Sequence, residues 1–566
     1  MRSADDEVEC DICGRACHEY DFIVCGVGAG GSSLVRDLYK KGKYSILAVD
    51  WGLDLRSDPV VVNVSSEYGQ YGPYRRTKND FMQEVVSPNV YGLVNFEAGK
   101  GGPGGSTNHY FGNATRGEQW DDWAEGLDDP KWSYNAILPF AKKVEHYFGT
   151  TQIPKERGYK GPLEIHQNHP GNAVDDKLCQ IMAKVWNVPI LQDYNGDIQN
   201  VSAAMQRLVT LDEQGQPQFR VWGGTLLPYS ILDKHGNGTK NTRCSKLKVL
   251  FSTVADKLLF EDEKNPRNCT GVRIASPKYG VHIVKARKAV VISGGAYSPA
   301  ILHRSGIGPA AVLKDIGVEP KIINEHVGAH FKCHYGVCLP FDPKTFPYPA
   351  FFEPGSAGIA VTFDDGNSAA KYNPTVFTPG QRRFERLFAG TGITEQRLAI
   401  AEKVPLDAPT FLVWNLLSRS EGTIFAQSKD PYTEPQVNFN YYSDGDLSDP
   451  ASDLSIAVAV LKSMKEFSLK LGSEMLLPPD YAFASDESLA IWVKTVWHTT
   501  NHYMSTTRMG TSKKNSVCDS NCKLWKVDNV YFADAGVMPT SATGHTSLPV
   551  FIIGKIVAKI LNKRYG

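Results

Sequence analysis

The sequence carries no excess of charge of either sign. Lys+Arg and Asp+Glu are each 61 in 566 residues, a formal net charge of zero, so nothing draws the chain as a whole toward nucleic acid or an anionic membrane surface. It lacks any apolar run of the about 18 residues that a membrane-spanning helix needs. Its opening, MRSADDEVEC, has no basic stretch followed by an apolar one, so no signal peptide is expected in the sequence as given. Cysteine is scarce, 11 residues, odd in number and scattered, which excludes a disulfide scaffold in a chain of this length. There is no internal repeat and no low-complexity tract. What is present is ordinary globular composition, 42% hydrophobic and 22% charged, in a chain too long for one core. Two interleaved structural domains and a small-molecule partner are therefore expected. Localisation stays open, because Asn-x-Ser/Thr triplets at Asn63, Asn113, Asn200, Asn237 and Asn268 would suit a secreted glycoprotein if a leader had been trimmed.

Residues 1–19 form an acidic, Cys-containing N-terminal tail with Cys10, Cys13, Cys17 and His18. That spacing would suit zinc, yet no second ligand pair follows nearby, so no metal is assigned. From Asp21 the texture changes. DFIVCGVGAGG is a short apolar run ending in glycines, SSLVRDLYKKG has helical spacing of Leu34, Val35 and Leu38, and YSILAVD is a second apolar run. This is a βαβ unit. VLFSTVADKLLFED, GVRIAS and KAVVISGGA read as further strands, and LPVFIIGKIVAKILNK as a closing helix. Residues 151–240 and 335–490 are less regular and read as a separate substrate-binding domain.

Gly26-Val-Gly28-Ala-Gly-Gly31 fits Gly-x-Gly-x-x-Gly, and Asp50 ends the next strand where a carboxylate grips a ribose hydroxyl. Gly26 suits the tight strand-to-helix turn, Gly28 a close approach of backbone to pyrophosphate, and Gly31 close packing of a helix whose positive end faces the phosphates. The pattern points to a dinucleotide and leaves NAD and FAD both open.

Four further stretches resemble the glucose–methanol–choline oxidoreductase family. Asp50-Trp51-Gly52 is similar to that family's Glu-Ala-Gly. GKGGPGGSTNHYFGNATRG, residues 99–117, resembles its first signature, with an extra residue around Pro103 and Tyr110 where the family usually has Asn. Ser298 to Gly308, SPAILHRSGIG, resembles its second signature. His502-Tyr-Met-Ser-Thr-Thr-Arg508-Met-Gly510 and residues 528–549, DNVYFADAGVMPTSATGHTSLP, resemble its C-terminal block.

The resemblance implies an α/β fold, α+β overall. A Rossmann-type FAD-binding domain (20–150, 241–334 and 491–566) would be interleaved with a mainly antiparallel-sheet substrate domain (151–240 and 335–490). It implies FAD as cofactor and a small-molecule hydroxyl substrate, an alcohol or sugar CH–OH, with dioxygen or another electron acceptor. His502 would take the hydroxyl proton, since a base near neutral pKa is needed there. His545 would orient the oxygen, and the hydride would pass to flavin N5. By the same resemblance Gly105, Ser106, Asn113, Asp534, Ala535 and Thr546 contact the cofactor, Val254 meets the adenine, and His109 stands where some members bond covalently to the flavin. Tyr348, Phe351, Phe352 and Trp497 would suit either an apolar pocket or core packing. Two other uses of the fold are open at this point: a lyase of the hydroxynitrile lyase type, and a structural or assembly protein.

Overall fold

The computed structural model describes residues 19–566 apart from 64–80, 87–88, 91–92, 100, 109, 111, 118, 168–172, 196–200, 205, 216, 243–244, 347–358, 365–370, 378–399, 401 and 406–407. The cysteine cluster at 10–18, His109, Tyr348, Phe351 and Phe352 lie outside the described residues.

Strand β1 (Glu19–Cys25) and strand β2 (Ser45–Val49) run parallel, Phe22 opposite Ile46 through Cys25 opposite Val49, with helix α1 (Ala29–Lys40) between them. Both strands are almost wholly buried because the sheet is covered on both faces, so they read as continuous apolar runs rather than alternation. Strand β3 (Lys246–Leu250) extends the sheet parallel to β2. Strands β4 (Val254–Phe260), β5 (Cys269–Ser276) and β6 (Gly280–Ile292) form an antiparallel meander. The later part of β6 turns parallel to β1, Ala289 opposite Phe22 through Ile292 opposite Cys25. Strand β7 (Val530–Phe532) pairs parallel with Val290–Ile292. The order is β3-β2-β1-β6-β5-β4, with β7 on β6. The parallel strands therefore share one carboxyl edge, the place where open α/β sheets bind ligands.

Helix α2 (Ser547–Tyr565) lies directly against α1. A Cβ on Gly554 would stand 2.3 Å from the Gly30 carbonyl oxygen, so the two backbones meet without intervening side chains. Ser33 Oγ donates to Phe551 O at 2.8 Å, and Lys555 pairs with Asp37 at 2.7 Å.

A second sheet of six strands is antiparallel throughout, in the order 497–499, 335–340, 410–415, 371–377, 359–364 and 201–204. Its strands Tyr335–Pro340 and Thr410–Asn415 are buried at every residue. The helix Asp453–Leu471 packs here with Leu454, Ala457, Leu461, Met464 and Ser468 buried, a stripe at helical spacing. Ser452 caps its start and Gly472, at φ 73°, ends it. Asp453 accepts from Asn415 Nδ2 at 2.9 Å, Ser420 N at 2.9 Å and the Tyr335 hydroxyl, tying the helix to the central strands. The expected mixed α/β architecture, with one largely parallel and one antiparallel sheet, is what the chain adopts. No helix among the described residues is long and apolar enough to cross a membrane.

Four charges are sealed beneath the Arg116 segment. Glu145 meets Arg116 at 2.6 Å and Arg157 at 3.5 Å, and Arg157 meets Asp193 at 3.6 Å, every side chain fully buried. Two cations balance two anions, and removing one member leaves an unpaired charge in a low-dielectric interior. Glu145→Ala is expected to lower unfolding free energy by about 3–5 kcal/mol in urea titration; a loss below about 1 kcal/mol, the range of an exposed pair, would contradict this account of the cluster.

Candidate active site

At the carboxyl end of β1 the chain must turn at once into α1. Gly26 does so with φ 103°, its N–H donating to Val49 O at 2.8 Å, a conformation that suits glycine. A Cβ on Gly31 would stand 2.2 Å from Gly26 O, so the first turn of the helix presses on the turn that precedes it. Gly28 differs: an added Cβ would meet nothing nearer than Ser293 O at 3.9 Å, leaving its face open to the cavity. Asp50, at the end of β2, accepts from Val27 N at 2.8 Å and Gly52 N at 2.9 Å. Burial raises its carboxyl above the ordinary range, and these two bonds oppose the shift.

One cavity gathers most of the residues singled out from sequence. Gly26, Gly28, Asp50, Trp51, Gly105, Ser106, Asn113, Val254, His502, Asp534, Ala535, His545 and Thr546 all line it. Gly31 instead packs behind the turn, and His109 is outside the described residues. Asp534 accepts from Gly295 N at 2.9 Å, Ser298 Oγ at 2.6 Å and Gly536 N at 2.8 Å. Burial nonetheless pushes its carboxyl up to about 6. Thr546 immediately precedes α2, whose first turn reaches the cavity through Ser547 and Val550 and brings the positive end of a helix dipole to the wall.

Two imidazoles stand together at this wall. The rings of His502 and His545 are 4.9 Å apart, centroid to centroid, and inclined at 72°. Trp414 packs edgewise on both, at 5.7 Å and 5.2 Å. His545 is buried, and desolvation first, then the neighbouring His334, pushes it down to about 3. Asn113 Nδ2 stands 2.8 Å from His545 Nε2. An amide N–H only donates, so His545 Nε2 accepts and Nδ1 carries the ring proton. That Nδ1 is buried with no hydrogen-bond partner within the protein. Asn113 itself is buried, and a glycan has no access there.

Several lining residues were not signalled by motif. Trp414 comes from the second sheet, and Thr499, Thr500, Asn501 and Tyr503 from the stretch entering the His502 segment. His334 contacts His502 with Nδ1 to Nδ1 at 2.9 Å; its one mark in sequence is a histidine directly ahead of the apolar strand YGVCLP. Trp497 is fully buried against Tyr441 and belongs to the core. Tyr110 lines the cavity, donates its hydroxyl to Val221 O, and has its phenol pushed up by burial. His330 bonds Glu421 at 2.6 Å. Among the described residues no group of three or more His, Cys, Asp and Glu is placed to hold a metal ion.

The cavity fits a flavin dinucleotide on three counts: an open glycine turn at a strand end, a buried acid one strand away and a helix N-terminus at the wall.

Comparison with known proteins agrees. Two family models described as GMC oxidoreductase match residues 238–336 and 418–554. The chain is 25% identical to the oxygen-dependent choline dehydrogenase of Staphylococcus epidermidis over 96% of this chain and 93% of that protein. It is 24% identical to the choline oxidase of Arthrobacter globiformis over 96% and 94%. Pyridoxine 4-oxidase from Mesorbium loti superposes with a TM-score of 0.77 at 20% identity, covering 97% of this chain and 100% of that one, which shows a shared fold. On these matches the chain resembles the GMC oxidoreductase family, and it is an FAD-dependent oxidoreductase.

Proposed function

We propose that the protein oxidises a small alcohol, with His502 as general base and His545 as the hydrogen-bond donor that holds the alcohol oxygen. The observation that carries this reading is the pair of imidazoles 4.9 Å apart on the wall of the cavity that fits FAD. The alcohol-type substrates named for the choline and pyridoxine enzymes support it.

The reaction needs three things of the protein. The O–H bond breaks first in importance, its proton passing to a ring nitrogen of His502, because the carbinol carbon releases hydride readily only as oxygen gains negative charge. That developing charge needs a donor already in place, and His545, on the cavity wall beside His502 with its Nε2 held by Asn113, is assigned that part. Finally, the C–H bond breaks with both its electrons and the C=O bond forms. Bound FAD supplies the two-electron, hydride-accepting chemistry. Trp414, packed edgewise on both rings, keeps the pair in register and narrows the space beside them. Asp50 has two tasks in this reading, bracing the glycine turn through Val27 and Gly52 and offering its remaining acceptor sites to the ribose.

His502→Ala is expected to slow anaerobic bleaching of the bound flavin by a reactive alcohol about 10²–10⁴-fold while the protein stays yellow; bleaching at the parent rate would remove His502 from the base role. Because His545 is held down at about 3, it is already neutral between about pH 5 and 8. His545→Asn should therefore lower the rate yet leave the acid limb of the kcat/KM profile at its original pH, and a limb that disappears would show that His545 titrates in the working range. Asp50→Ala should elute from gel filtration with less flavin per chain, judged from its absorption spectrum. Full flavin content would show that Asp50 holds neither turn nor ribose.

A further inference from the structure

We propose that His334 is a positioning residue that selects the tautomer of His502. The inference rests on the reading of His502 as the base, and it concerns a histidine that no motif marks.

His334 lies immediately before the strand Tyr335–Pro340 and is fully buried. Its backbone is fixed beside the His502 segment. Lys332 and Met504 exchange backbone hydrogen bonds at 3.1 Å and 3.0 Å, and His334 O accepts from Thr500 N at 3.1 Å and Thr500 Oγ1 at 2.8 Å. Both ring nitrogens are engaged. Nε2 stands 2.7 Å from Ala542 O; a carbonyl only accepts, so Nε2 carries a proton. Nδ1 stands 2.9 Å from His502 Nδ1, and one proton must lie between those two nitrogens.

Burial settles whose proton it is. Desolvation pushes His334 down to about 4, against the pull of the Ala542 and Leu416 carbonyls, so near neutral pH the ring holds a single proton, placed on Nε2 by the 2.7 Å contact with Ala542 O. Its Nδ1 is then a lone pair, and the shared proton belongs to His502 Nδ1. Neutral His502 consequently presents Nε2 unprotonated, the nitrogen able to accept a proton from a hydroxyl. Without the acceptor at His334 the other tautomer, with Nε2–H, competes, and that form cannot serve as base at Nε2. The carbonyl that anchors His334 precedes His545 by three residues in the same loop, so one buried ring braces both members of the pair.

Three substitutions test this in the FAD-loaded protein. His334→Leu removes both contacts, His334→Asn keeps an acceptor near the former Nδ1, and His334→Gln keeps a donor near the former Nε2. His334→Leu is expected to retain flavin and to lose kcat about 10²–10⁴-fold with little change in KM, since an imidazole in the wrong tautomer costs about 10⁴ in serine proteases. His334→Asn should recover most of that loss and His334→Gln little of it. Recovery by Gln but not Asn would overturn the proposal in favour of a tie to the Ala542 loop, and so would parental kcat in His334→Leu. If His334→Leu does not fold, the Asn and Gln pair still decides between the two. His502→Ala separates the premises: no effect there removes the base reading itself, whereas loss there beside an unaffected His334→Leu removes the positioning role alone.

Discussion

The backbone contact between the first and last helices carries the rest of the architecture. Gly30 and Gly554 let α1 and α2 touch without side chains between them, and this docks the C-terminal segment on the glycine turn near the N-terminus. The glycine turn at Gly26 and Gly28 and the loop at His545 and Thr546, more than 500 residues apart in the chain, thereby line one cavity. A Cβ at Gly30 would sit 1.9 Å from Ala533 O, directly beside Asp534. The same tight packing thus fixes the helices and the acid that braces the cavity wall.

Within that frame, burial decides the chemistry more than proximity does. His334 and His545 are both held well below the usual imidazole range by desolvation, so they remain neutral and their protons are assigned by the groups they touch. Ala542 O and Asn113 Nδ2 make those assignments. Neutral rings with defined tautomers give a donor on one side and an acceptor on the other. A charged His502–His545 pair, 4.9 Å apart, would repel and would present donors alone.

The parts of the fold visible in sequence are those set by local physics. The βαβ unit at 20–50 is legible because a buried parallel strand, a glycine turn and an amphipathic helix each leave a short-range pattern. His502 and His545 are legible through motif resemblance, and the structure sets them side by side. His334 is not legible, because its contact with His502 spans 168 residues and depends on the register of Lys332 against Met504. Trp414 is hidden likewise inside the mostly apolar, wholly buried strand Thr410–Asn415. The Arg116, Glu145, Arg157 and Asp193 cluster draws on four separate segments, and charged residues in sequence read by default as surface.

The central claim is that the carbinol carbon gives up hydride in this cavity while its oxygen is deprotonated there. Anaerobic stopped-flow reduction of the bound flavin, comparing an alcohol with its counterpart deuterated at the carbinol carbon, tests that most directly. The account predicts that the alcohol bleaches the flavin and that the deuterated compound does so several-fold more slowly, roughly as expected for a broken C–H bond controlling the step. Flavin that stays oxidised before every alcohol offered, or bleaching indifferent to deuterium even when reduction is shown to be limited by chemistry, would contradict it.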